Sequence, residues 1–340
     1  MKPRVAVLLV NLGTPAAPTR AAVKPYLAQF LSDPRVLDVA APLRLFLGRF
    51  LIPLVRSSKS AEAYATIWTE RGSPLLENSQ ALSAALASEL ALPVELGMRY
   101  GEPSIERAFL KLADFERIVV VPLYPQYASS STGTALEVVY DLAARRWNTP
   151  ALTVLPPFFA APQFLDAAAE LVRHEARVFA PDHVLFSYHG LPERHVKKSD
   201  VSGSHCLAHA DCCAKLVPAN AACYRAQCFA TTRGLLERLA LGVPSSVAFQ
   251  SRLGRDPWIR PFTDEVLVEL AQSGTKRLLV ACPSFVSDCL ETLEEIGGRA
   301  RESFRENGGD ELRLVPCVNA SAPWVSGLAE LVRGVLPAAT

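Results

Sequence analysis

In the stretch VLFSYHGLPERH (184–195) a single imidazole, His189, stands where an apolar run stops. Val184 to Phe186 reads as a buried strand, and the Ser-Tyr-His-Gly-Leu-Pro that follows as a loop at a sheet edge. A neutral imidazole there can accept a proton or ligate a metal near pH 7. A locally hydrogen-bonded loop histidine is the plainer reading of the same residue. A second group is acidic: Asp288, Glu291 and Glu295 follow FVS at spacings i, i+3 and i+7, which on a helix share one face. Asp288 with Glu291 three residues on also fits a capping box, which needs no chemistry. If the helix and His189 follow two strands of one sheet, imidazole and carboxylate meet, and such a pair binds a divalent cation or moves protons.

The third group is sulfur. Of eight cysteines, Cys206, Cys212, Cys213, Cys223 and Cys228 crowd into the segment 202–228 with spacing C-x5-C-C-x9-C-x4-C. In a reducing compartment such a cluster points to metal more than to disulfides. It lacks the C-x2-C knuckles of common zinc modules. Cys212 and Cys213 are adjacent and expected to point different ways, so only one of them should ligate. His205 and His209 are outside candidates. An iron–sulfur cluster, zinc, and plain thiols or a disulfide all stay open.

What must position these groups is a repeated unit. RVAVLLVNLGTP (4–15) and DHVLFSYHGLP (182–192) share one plan: buried strand, polar residue, Gly, Pro. ERIVVVPLYPQYASSSTGTALEVV (116–139) and KRLLVACPSFVSDCLETLEEI (276–296) share another: basic lead-in, apolar strand, Pro, aromatic, then a Ser/Thr-rich helix start. Segments 73–90, 136–147 and 161–179 carry apolar residues at helical spacing. Continuous apolar strands alternating with helices mean parallel sheets covered on both faces. The expectation is α/β: two similar Rossmann-like, doubly wound domains, 1–155 and 156–318, with a cleft between them. Residues 319–340 form a last helix packing back on the first domain. Sites in such folds lie at the carboxyl ends of strands, where Asn11, Tyr124, His189 and Ser284 fall.

Bulk properties narrow the function. The 340 residues carry a formal net charge of +1, so no strong field favours nucleic acid. Neither G-x-G-x-x-G nor G-x-x-x-x-G-K-[ST] occurs, which argues against dinucleotides and nucleoside triphosphates. The start MKPR leads straight into a strand, and no run of about 18 apolar residues exists, so a cytoplasmic protein is expected. The segment LRLFLGRFLIPLVR (43–56) is dense in apolar side chains interrupted by Gly48 and Pro53; it is either an ordinary buried helix or a surface that touches a bilayer.

YATIWTERGSPLL (64–76), PLYPQYASSSTGTAL (122–136), FSYHGLP (186–192), FQSRLGRDPWIRP (249–261) and FVSDCLETLEEI (285–296) together resemble the motifs of ferrochelatase, in that family's order and over nearly the whole chain. The resemblance implies insertion of Fe2+ into protoporphyrin IX to give haem b, with release of two protons. Coproporphyrin III is the alternative porphyrin. It implies His189 as the active-site histidine, Glu291 as its partner carboxylate, both facing the substrate iron, and Asp288 and Glu295 as part of an acidic row. Cys289 departs from the family, where many members have His. A flat macrocycle needs aromatic walls and hydroxyl or cationic donors for its propionates. Trp258, Trp68, Tyr124, Tyr127, Ser131, Thr132 and the weaker Arg71 are the porphyrin candidates. Segment 43–56 corresponds to an active-site lip that meets the inner face of the membrane. By analogy with members that carry a [2Fe–2S] cluster, the cysteine insertion holds one on four of its five thiols. A sirohydrochlorin cobalt or nickel chelatase is the runner-up enzyme. A haem carrier or iron–sulfur redox sensor on the same scaffold is the non-enzymatic alternative. A membrane-associated monomer and a homodimer both fit the sequence.

Overall fold

A computed structural model describes residues 4–254 and 256–336. It holds two four-stranded parallel sheets. The first uses β1 (Val5–Gly13), β2 (Val94–Tyr100), β3 (Arg117–Pro122) and β4 (Ala151–Val154) in the order β2-β1-β3-β4. The second uses β5 (His183–His189), β6 (Ser245–Gln250), β7 (Arg277–Ala281) and β8 (Glu311–Leu314) in the order β6-β5-β7-β8. The second order is the first displaced by four strands, which is the internal repeat seen in the sequence. All neighbouring strands pair in parallel, as in Val7 beside Val94 and Phe186 beside Ala281. Ala6–Val10 and Val184–Phe186 are fully buried, so each central strand is covered on both faces.

The chain divides into two compact units. One comprises residues up to Tyr124, Ala128–Pro157 and Val325 onward; the other comprises Pro125–Tyr127 and Phe158–Trp324. The last described helix, Ala322–Val335, is therefore shared. Trp324 packs on Phe158 and Phe164 in the second unit, while Arg333 reaches the Glu89 carbonyl in the first.

In each unit the chain order reverses beside the central strand, so the carboxyl ends of β1 and β3, and of β5 and β7, are the switch points where ligands bind in such sheets. Gly13, at the end of β1, is required by contact: a Cβ there would lie 1.8 Å from the Tyr100 carbonyl oxygen, and its φ is +112°.

Candidate active site

His189 is the last residue of β5. Its N–H donates to Ser284 Oγ at 3.1 Å, which ties the end of β5 to the turn after β7. Its Nδ1 lies 2.6 Å from the Gly190 carbonyl oxygen. A carbonyl only accepts, so the proton sits on Nδ1 and the Nε2 lone pair is left for chemistry. The ring leans on Phe285 with centroids 6.3 Å apart. The turn is held from the other side by the loop after β6. Gly190 N–H donates to the Gln250 carbonyl at 2.7 Å, Ile259 N–H to Leu191 at 3.0 Å, and Trp258 bridges to Pro192. Gly190 admits no side chain, since a Cβ would meet the Gln250 oxygen at 2.7 Å and the Trp258 ring at 3.1 Å. Trp258 is thus a wall beside the histidine, with its indole N–H bound to the Leu253 carbonyl.

The acidic group differs from the helical row expected. The helix covers only Leu290–Leu293, begins at Cys289, and passes into a π-helical segment Glu295–Ala300. Asp288 precedes it and does not cap it; the Thr292 hydroxyl accepts from the Cys289 N–H instead. Asp288 is buried, and its carboxylate accepts from Asn319 Nδ2 at 2.7 Å, Thr292 Oγ1 at 3.1 Å and the Cys317 N–H at 3.3 Å. It is spent on holding the 315–319 loop. Glu295 accepts from the Ser251 N–H at 2.8 Å and the Ser251 hydroxyl at 2.6 Å. Burial raises its carboxyl above the usual range; the Ser251 hydroxyl and nearby His189 pull the other way. Ser251 offers both donors from a left-handed backbone, φ +66°, of the kind retained at functional sites. Glu291 is different: the Cys289 thiol lies near enough to its carboxylate to be influenced by it, and its backbone carbonyl accepts from Gln250 Nε2 at 2.7 Å. The departure at Cys289 therefore leaves a buried thiol beside Glu291, and burial pushes that thiol well up.

Tyr127 belongs to the same unit, with its N–H bound to Gln227 Oε1 at 2.7 Å. The other porphyrin candidates lie in the first unit. Tyr124 and Thr132 have buried hydroxyl oxygens with no hydrogen-bond partner among the described residues. Burial drives the Tyr124 phenol far above its ordinary value. Ser131 caps its own turn through the Ala128 carbonyl at 3.4 Å. Trp68 packs edge-on against Tyr64. Arg71 is 81% exposed on its side chain and paired with Glu77 at 3.1 Å.

Sequence reading missed Gln250, whose buried amide accepts from Ser187 Oγ at 2.7 Å while donating to the Glu291 carbonyl. It also missed Asp33, which in the first unit accepts from Arg99, Tyr100 and Thr134. Polar residues at the end of an apolar strand, as in AFQS, were the available signal for the first; a lone Asp before Pro gave none for the second.

The segment 43–56 is not a buried helix. It runs through Ala41–Phe46, a π-helical Leu47–Leu51 and Ile52–Ile67. Gly48 and Pro53 are buried, and Leu43, Leu45, Phe46, Phe50, Leu51, Leu54 and Val55 are exposed, Phe50 by 65% and Val55 by 70%. Among the described residues no helix is long and apolar enough to cross a membrane.

All eight cysteines are free, buried thiols. Cys212 and Cys213 turn to the same side, with sulfurs 3.7 Å apart, contrary to the expectation that adjacent residues diverge. They follow a turn rather than a strand, so consecutive side chains need not alternate. The Cys223 thiol is near enough to those of Cys206 and Cys213 to shift their ionisation. Cys228 faces the Tyr224 hydroxyl inside the helix Tyr224–Leu239. His205 is bound to the Cys212 carbonyl at 3.0 Å, and Asn220 pins the same carbonyl at 2.8 Å. Asp200 accepts from the Cys206 N–H, the Ser202 hydroxyl and the His205 N–H, which together hold its carboxyl well below the usual range. Among the described residues no three His, Cys, Asp or Glu side chains form a ready-made metal site.

Two parallel sheets of like order, with a strand-end imidazole and a carboxylate beyond the next strand, define a chelatase-type α/β protein. The same fold occurs in SirB from Bacillus subtilis with Fe3+ (TM-score 0.54, 14% identity, 98% of this chain and 95% of that one). It recurs in the sirohydrochlorin chelatase SirB from Bacillus subtilis subspecies spizizenii in complex with cobalt (TM-score 0.54, 13% identity, the same coverage). The ferrochelatase family model matches residues 4–336. The ferrochelatase of Azotobacter vinelandii (strain DJ) is 50% identical over 337 residues, covering 96% of this chain and 98% of the relative. That of Pseudomonas fluorescens (strain Pf0-1) is 49% identical over 334 residues, covering 96% of each. The chain belongs to the ferrochelatase family: it is an enzyme that inserts ferrous iron into a porphyrin.

Proposed function

We propose that the porphyrin is protoporphyrin IX and that His189 and Glu291 are the two groups that handle its protons and the incoming iron. The observation that carries this is the division of labour among the neighbouring groups. His189 keeps Nε2 free because Nδ1–H is committed to the Gly190 carbonyl. Asp288 and Glu295 are each held by protein donors, whereas among the described residues no such donor holds the Glu291 carboxylate, which has the Cys289 thiol beside it. Two pyrrole protons must leave per turnover, so one base is not enough. His189 Nε2 takes a pyrrole proton, with Nδ1–H held on the Gly190 carbonyl and the Glu295 carboxylate nearby. Glu291 offers oxygen to the hard dication and accepts the second proton. Trp258 and the unpartnered hydroxyls of Tyr124 and Thr132 are the porphyrin contacts best supported by their surroundings; Trp68, Tyr127 and Ser131 are further ones, and Arg71, already paired at the surface, is the weakest.

The exposed apolar lip supports both protoporphyrin and peripheral attachment to a membrane face. Protoporphyrin is an apolar macrocycle, and exposed Phe46, Phe50 and Leu54 beside Arg49 and Arg56 suit an interface with anionic lipid. Turnover with protoporphyrin IX should exceed that with coproporphyrin III. The triple variant Phe46→Ser, Phe50→Ser, Leu54→Ser should no longer cosediment with phosphatidylglycerol vesicles. Faster turnover of coproporphyrin, or unchanged vesicle binding, would replace this reading.

The cysteine insertion holds a [2Fe–2S] cluster with a structural purpose. Support comes from the donor set: the thiols of Cys206, Cys212, Cys213 and Cys223 are linked to one another, and Cys228 is the odd one out. Such a cluster needs four thiolates. It would tie down a segment whose only regular element between Asp200 and Cys223 is the short turn Pro218–Asn220. Anaerobically purified protein should be reddish and bleach with dithionite. Ser substitution at Cys206, Cys212, Cys213 or Cys223 should each remove the colour, and Cys228→Ser should not. Colourless protein with zinc bound would show a structural zinc site instead.

A further inference from the structure

Arg225 lies on the first turn of the helix that follows Cys223, and among the described residues no carboxylate partners it. Its guanidinium is divided between two neighbours. Nη1 donates to Cys213 Sγ at 3.2 Å and reaches Cys212 Sγ at 4.0 Å. Nε and Nη2 both donate to the Arg260 carbonyl, at 3.4 and 3.3 Å. The plane also lies over Phe229, 4.9 Å from its centroid, which fixes the direction of the fork. Arg260 is in the loop after β6 that shapes the histidine turn. The next residue, Pro261, accepts from the Phe249 N–H at 2.8 Å, and the preceding one, Ile259, donates to Leu191. Trp258 of the same loop presses on Gly190, whose carbonyl fixes the His189 ring. One side chain thus joins the thiols to the loop that sets the direction of Nε2.

We propose that Arg225 is a positioning residue for metal insertion: it anchors the 257–262 loop to the cysteine group and so holds His189 in register. It touches no reacting atom, so its loss should act on the rate of insertion and not on porphyrin affinity. The geometric tie stands on the contacts above. That the positive charge also stabilises the sulfur group rests on the cluster reading, since four thiolates on a binuclear iron centre leave a net negative charge that a guanidinium answers. Arg and Lys then separate the two duties. An ammonium retains charge near the sulfurs but has no planar fork to reach both partners.

The test uses the full-length protein with Arg225→Gln and Arg225→Lys. Zinc insertion gives kcat and KM; hydrogen exchange followed by mass spectrometry gives the protection of 257–262 and 189–193; the visible spectrum reports the sulfur group. Arg225→Gln should lower kcat on the order of tenfold, because small misplacements of a reacting group are costly, and leave KM within about twofold. Both peptides should exchange faster while those from β1 and β3 stay as in the wild type. Arg225→Lys should show the same faster exchange and the same kcat loss but retain the colour. If Arg225→Gln collapses the insertion, seen as full exchange across 200–223, Arg225→Lys alone decides. Wild-type exchange and wild-type kcat in Arg225→Lys would overturn the proposal. Wild-type protein without colour, iron or sulfide would refute the cluster instead and leave the exchange result to be read by itself.

Discussion

His189→Ala is expected to abolish metal insertion while leaving the fold intact. A positioned acid–base group contributes about 10²–10⁴-fold, and in the proposed role the same nitrogen also meets the metal, so the loss should reach the upper part of that range. The structural cost is small. Among the described residues the ring makes one hydrogen bond, to the carbonyl of the next residue, and one tilted ring contact, with Phe285. The backbone of residue 189 keeps its bond to Ser284 in the variant. Loss of such a local bond costs about 1 kcal/mol, so circular dichroism and the unfolding midpoint should stay near wild type. Insertion of ferrous iron and of zinc, followed by the change in porphyrin fluorescence, measures the effect. Near-normal turnover with iron would remove His189 from the chemistry.

Much of the fold could be read because its signals are local. Buried parallel strands write themselves as unbroken apolar runs, and β1, β3, β5 and β7 all lie within the repeated segments. The polar residue that ends such a run stands out, which is how Asn11, His189 and Ser284 came to notice. Contacts that depend on distant residues were not legible. Asp288 looks like one of three equal carboxylates until Asn319, 31 residues on, is seen to claim it. The i, i+3, i+7 spacing assumed a continuous α-helix, and the π-helical turn at Glu295 breaks that register. Apolar density in 43–56 could not say whether the face is covered, because buried and exposed amphipathic segments share a pattern. Adjacency alone suggests that Cys212 and Cys213 point different ways, but they sit in a turn pinned by Asn220. The partnership of Arg225 with Arg260, 35 residues away, left no trace in the sequence.

Glu291→Gln is expected to cut insertion by about 10²–10³-fold, more than either neighbouring acid does by the same chemical change. The reason lies in what each carboxylate already does. The amide in Glu291→Gln fills the same space beside the Cys289 thiol, so the change removes charge and basicity and little else. Porphyrin KM should therefore stay near wild type while kcat falls, the pattern of a group used in the transition state. Glu295→Gln removes a charge near His189, keeps one oxygen for the Ser251 N–H and turns the other contact into an amide NH2 donating to the Ser251 hydroxyl; a loss on the order of tenfold is expected. Asp288→Asn acts by another route. The new amide must replace an acceptor of three hydrogen bonds, so the 315–319 loop loosens at a cost of about 1–3 kcal/mol, visible as a lower unfolding midpoint. Steady-state zinc and iron insertion across the three variants, with thermal unfolding in parallel, gives the ranking. A larger kcat loss in Glu295→Gln than in Glu291→Gln would transfer the proton-handling role to Glu295, and with it the Ser251 clamp would become part of the catalytic unit.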